Sequence, residues 1–65
     1  MKILLNDTPV ELPEGATVAD AIAHLAPAPP FAVAVNLNFI PQPAHASHAL
    51  HAGDRVEIIA PVTGG

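Results

Sequence analysis

Gly64-Gly65, reached from an extended Ala60-Pro61-Val62-Thr63 stretch, place a carboxylate on two residues that carry no Cβ. Glycine adopts backbone conformations closed to other residues, so such a tail can enter a channel too narrow for side chains. The carboxyl of Gly65 would then be the reacting group, with Gly64, Thr63 and Val62 as the threaded segment. The plainer reading of the same residues is a frayed end, where small residues cost nothing. Ser47-His48 is the other pair with nucleophile and base types. Adjacency in sequence does not set a hydroxyl against an imidazole, and no third group is marked to orient the ring, so the chain is predicted to have no catalytic residues of its own. His45, His48 and His51 recur every three residues and would share one arc if that stretch were helical. Zinc sites of this size usually add cysteine or carboxylate ligands, and there is no cysteine. Solvated histidines are therefore expected, and no metal.

Sixty-five residues make one small domain, residues 1–65, with the tail at 61–65. A chain of this length buries only about 60% of its unfolded surface. Six acidic side chains against two basic ones give a net charge of −4, the wrong sign for a phosphate backbone. Nucleic acid is excluded on that ground, and a basic docking surface on a partner protein is favoured, with attraction screened beyond about 8 Å in physiological salt. Met1-Lys2 is followed by only three apolar residues, too few for the core of a signal peptide or for a membrane span. A cytoplasmic protein with no membrane contact is the resulting expectation.

The elements that must position the tail are readable from period and breakers. Ile3-Leu4-Leu5, the turn cluster Asn6-Asp7-Thr8-Pro9 and the alternating Val10-Glu11-Leu12 predict a β-hairpin. After Pro13-Glu14-Gly15, apolar Val18, Ala21, Ile22 and Leu25 fall at i, i+3, i+4 and i+7, the spacing of an amphipathic helix. Thr17 and Asp20 form a capping-box variant at its start. Pro27 biases Ala26 out of the helical region, so the helix ends near Leu25 or Ala26. Ala32-Val33-Ala34-Val35 reads as a third strand, Asn36-Leu37-Asn38 as a turn and Phe39-Ile40 as a short fourth strand stopped by Pro41 and Pro43. Residues 44–50 have weak helical character at best. Gly53-Asp54 turns the chain into a last strand over 55–60, where Pro61 ends the ladder.

Right-handed crossovers bring the first and last strands together in parallel at the sheet centre, with the helix on one face. Strand alternation then sends Ile3, Leu5, Val56 and Ile58 inward and Leu4, Arg55, Glu57 and Ile59 outward. Leu4 and Ile59 are expected to be neighbours on the uncovered face and to form the partner surface, although scattered exposed aliphatics are ordinary.

With this ββαββ order and the terminal Gly-Gly, the chain resembles the ubiquitin-like β-grasp proteins, and within them the ThiS family of bacterial sulfur carriers. The resemblance rests on Met1-Lys2-Ile3 to Asn6, Thr17-Val18-Ala19-Asp20 to Leu25, Val33-Ala34-Val35-Asn36, Gly53-Asp54-Arg55-Val56-Glu57-Ile58 and Pro61-Val62-Thr63-Gly64-Gly65. It implies an α+β fold, a mixed sheet of four to five strands packed on one helix. It also implies that the Gly65 carboxylate is adenylated by an E1-like adenylyltransferase of the ThiF type, converted to a thiocarboxylate, and used by a thiazole synthase of the ThiG type in thiamine biosynthesis. A sulfide donor system such as a cysteine desulfurase would supply the sulfur. ATP and Mg would be held by the E1-like partner, since no Gly-rich phosphate loop is present here, and this chain would bind no cofactor. The free protein is expected to be a monomer. Two departures are the proline-rich run from Ala26 to Pro30 and the histidine-rich run from Ala44 to His51. The rival readings are a molybdopterin synthase small subunit, a carrier for another sulfur metabolite, a ubiquitin-like modifier that is joined to lysines, and a plain interaction domain.

Overall fold

Two pairs of residues with positive φ decide how the chain folds back on itself. The computed structural model describes residues 1–60. Asn6 and Asp7 have φ of 49° and 66°, and Asn36 and Leu37 have φ of 49° and 70°. Both central residues of a type I′ turn need that sign, and its twist matches a two-residue hairpin. Strand β1 (Lys2–Leu5) therefore returns directly as β2 (Thr8–Glu11), and β3 (Ala32–Val35) returns as β4 (Asn38–Ile40). The predicted turns were too long. Thr8 and Pro9 belong to β2, and Asn38 belongs to β4. Pro9 is tolerated because β2 is an edge strand, where the missing N–H faces away from β1.

Leu37 is the unusual member of these turns. A bulky side chain in the left-handed region costs about 1–2 kcal/mol, and here it is 81% exposed, with little packing to offset that cost. Leu37→Gly gives up about 0.5–1 kcal/mol of chain entropy, so a net gain of up to about 1.5 kcal/mol is expected as a higher urea midpoint. A lowered midpoint would show that the Leu37 side chain packs usefully.

Helix α1 spans Val18–Leu25. The Asp20 carboxylate accepts the Thr17 N–H at 2.8 Å and the Thr17 hydroxyl at 3.3 Å, completing the capping box at its start. At the other end Ala26 takes a left-handed conformation (φ 51°) and its N–H donates to the Ile22 carbonyl at 2.7 Å. Pro27 explains the stop, since the residue before a proline is pushed out of the right-handed helical region. A 3₁₀ turn covers Gln42–Ala44, earlier than the weak helix expected over 44–50. Pro41 precedes it and Pro43 lies within it, where the lost N–H would be unsatisfied anyway.

The last strand, β5 (Arg55–Ile59), fills the centre of the five-stranded mixed sheet, whose order is β2-β1-β5-β3-β4. It runs parallel to β1, with Leu4 opposite Arg55 and Leu5 opposite Val56. Against β3 it is antiparallel, from Ala32 opposite Ile59 to Val35 opposite Val56. One helix packs on one face, giving the α+β arrangement of a β-grasp domain. Ile3, Val33, Val56 and Val18 are the largest fully buried side chains, and no polar or charged residue is buried among the described residues. Leu25, on the predicted apolar stripe, ends the helix and stays 43% exposed. No helix among the described residues is long and apolar enough to cross a membrane.

Candidate functional site

The site is built around β5, because the segment predicted to react leaves from its far end. Gly53 supplies the turn that launches the strand, with φ of 86°, a region glycine enters without steric cost. Asp54 fixes that turn: its carboxylate accepts the His51 N–H at 2.8 Å and the Asn36 side-chain amide at 3.0 Å. The Asn36 side-chain oxygen Oδ1 in turn accepts the Arg55 N–H at 3.0 Å. Arg55 also pairs with Asp7 at 3.4 Å, although both are exposed and such a pair contributes little. The start of β5 is thereby tied to both hairpin turns.

Strand alternation holds along β5. Val56 and Ile58 are buried against the helix side, Glu57 is half-buried and Ile59 is 57% exposed. Leu4 is half-buried and faces the same open side of the sheet as Ile59. The two are not neighbours. Leu4 sits opposite Arg55, whereas Ile59 lies four residues further along β5 and pairs with Ala32. At roughly 3.3 Å per residue that separates them by about 13 Å along the strand. The parallel register, which alternation alone does not fix, sets this separation.

Phe39 is the residue that the sequence reasoning missed. It is 68% exposed, pairs with Ala34 and stands on the open face diagonally across β3 from Ile59. Ala32 and Ala34 lie between them and are too small to fill the space, so the two large side chains flank a shallow alanine floor. The signal was available in Phe39-Ile40: of two adjacent apolar residues on a strand, one must face away from the core. This apolar end of the open face lies beside the last residue of β5, and the basic side chains Lys2 and Arg55 lie toward its other end.

The histidines go to separate places because the 42–51 segment is not a continuous helix. The His45 Nε2–H donates to the Ile40 carbonyl at 3.0 Å and its ring stacks on Phe31 with centroids 6.4 Å apart. The His48 carbonyl accepts the Val18 N–H, and His51 is exposed beside Asp54. Among the described residues, no three His, Asp or Glu side chains gather as a metal-binding group. His45 and Phe31 instead border a cleft of about 280 Å³ with Pro30, Phe39 and Gln42. Val62, Thr63, Gly64 and Gly65 lie outside the described residues.

Comparison with known proteins covers the whole of this architecture. The sequence pattern of the ThiS family matches residues 3–65. Among solved structures, the thiamine biosynthesis protein ThiS from Geobacter metallireducens superposes with a TM-score of 0.81 over 100% of both chains, at 23% sequence identity. That likeness is one of fold. No curated protein sequence matches the chain.

Proposed function

Because the chain belongs to the ThiS family, the sulfur carriers of thiamine biosynthesis, we propose that it carries sulfur on the carboxyl of Gly65 as a co-substrate rather than a catalyst. The family match extending through Gly64-Gly65 is the observation that carries this reading. In the first step an oxygen of the Gly65 carboxylate attacks the α-phosphorus of ATP, bound with Mg by an E1-like adenylyltransferase, and pyrophosphate leaves. Hydrosulfide, or its equivalent from a cysteine desulfurase system, then attacks the acyl carbon. The C–O bond to AMP breaks with its electron pair leaving on the AMP oxygen, a proton is released, and a thiocarboxylate remains. The thioacid ionises readily and its sulfur is a better nucleophile than the original oxygen, which suits transfer to a thiazole synthase. With no cysteine in the chain, a persulfide on this protein is not an alternative chemistry.

The open sheet face supports the partner half of the reading. Ile59 and Phe39 present exposed apolar area beside the end of β5, with Leu4 further along the same face. Exposed apolar side chains grouped next to a reactive tail are suited to be a docking surface, and the chain's net charge of −4 suits a basic partner.

Intact mass measurement after incubation with the E1-like enzyme, ATP, Mg and hydrosulfide tests both halves. The expected result is a gain equal to one oxygen replaced by sulfur, absent from a chain lacking Gly65. Ile59→Asp should remain folded, because the residue is exposed, and should accept sulfur at least about tenfold more slowly at low partner concentration, as truncated interface anchors cost about 1–2 kcal/mol or more. No mass gain would refute the carrier chemistry, and an unchanged rate for Ile59→Asp would remove the docking surface.

A further inference from the structure

β5 continues past its neighbour on one side. The ladder between β1 and β5 covers only Leu4 with Arg55 and Leu5 with Val56, after which the chain turns away at Asn6 into β2. Backbone groups of successive strand residues point to opposite sides. Those of Arg55 meet Asn36 on the β3 side, and the Val56 carbonyl accepts the Asn6 N–H at 2.9 Å on the β1 side. Ile58 therefore directs its N–H and C=O into the space where β1 has ended. The Asn6 side chain fills that space with both complements of a peptide group. Its Oδ1 accepts the Ile58 N–H at 2.8 Å and its Nδ2 donates to the Ile58 carbonyl at 3.2 Å, across 52 residues of sequence.

We propose that Asn6 is a positioning residue for the reactive tail. Its carboxamide stands in for the next residue of β1 and keeps β5 in line as far as Ile58, setting the direction in which the chain leaves the sheet toward Gly65. The left-handed backbone at Asn6 aims the side chain back at β5 while the main chain turns into β2. Serine or alanine at this position has neither the reach nor the paired donor and acceptor. Asn36 does the corresponding work at the opposite end of β5, on its opposite flank. The difference is that Asn36 steadies the beginning of the strand, whereas Asn6 steadies the end from which the tail departs.

This inference rests on the carrier reading above, and its test separates the two. Asn6→Gly in the full chain keeps the positive φ, which glycine adopts freely, and removes only the carboxamide. Amide hydrogen exchange at Ile58 should quicken by about tenfold or more, with Val10 and Val35 amides slowed or sped no differently from the global change. In ATP–pyrophosphate exchange with a ThiF-type enzyme, KM for the carrier should stay within about twofold and kcat should fall about tenfold, the pattern of lost positioning with docking retained. Asn6→Asp, which keeps the acceptor for the Ile58 N–H and loses the donor, should fall between the two in both measurements. Unchanged exchange at Ile58 in Asn6→Gly would overturn the clamp. Faster exchange with kcat retained would overturn its role in positioning. Absence of pyrophosphate exchange with the unaltered chain would overturn the carrier reading and the positioning role with it, while the exchange data would still report on the clamp.

Discussion

Valine at position 64 is expected to stop pyrophosphate release by the adenylating partner while leaving the melting temperature unchanged. A channel must admit the full width of the chain that enters it. A Cβ with two branches widens the chain one residue before the reacting carboxyl, and it removes the backbone conformations that only glycine reaches. Attack on the α-phosphorus requires the carboxylate oxygen at near contact distance, and misplacement by about 1 Å costs on the order of a hundredfold in rate. The last strand of the described fold ends at Ile59, five residues before position 64, so an unchanged melting temperature is the expected result. A loss of at least about a hundredfold in kcat/KM is the expected outcome. Normal pyrophosphate release from Gly64→Val would refute the threading argument, and a lowered melting temperature would show that the tail contributes to the fold.

The second large effect is one of stability. Ile3 is fully buried in β1, opposite Val10 and beside the central strand. Cutting it to alanine removes the packing of three carbons and leaves a cavity under the sheet, a change that costs about 2–5 kcal/mol. Total stability for a domain of this size is about 3–10 kcal/mol. Ile3→Ala should therefore lower the melting temperature by about 10–30 °C and leave a sizeable unfolded fraction. Ile59→Ala is the control, since an exposed position away from caps and cores moves stability by no more than about 0.5 kcal/mol. Thermal unfolding followed by far-UV circular dichroism measures both. Equal effects for the two variants would contradict the assignment of inward and outward faces.

Local signals were legible where a single residue carries them. Thr17 with Asp20 marked the helix start, and Pro27 marked its end, because capping and proline sterics act within one turn of the chain. Inward Ile3, Leu5, Val56 and Ile58 followed from alternation, which needs only one face to be apolar. The turn lengths were misread because Asn-Asp and Asn-Leu do not announce positive φ at both positions as Asn-Gly does, and Pro9 argued against a strand that the sheet edge permits. Relations between distant segments were the harder part. The separation of Leu4 from Ile59 depends on the parallel register, and the grip of Asn6 on Ile58 joins residues far apart in sequence through side-chain atoms. No periodicity records either one.

The sheet order carries a consequence for how the protein is made. In the sheet, the β2-β1 and β3-β4 hairpins each pair with β5 and not with one another, so the middle of the sheet is made after both of its flanks. Each hairpin alone is a two-stranded unit of marginal stability, and the contacts that join them span most of the chain. A nascent chain interrupted before Arg55 thus lacks the strand that joins the two hairpins, and with it the core side chains Val56 and Ile58. The strand that completes the sheet is the one from which the tail continues, so completing the domain and making the tail are consecutive events in synthesis.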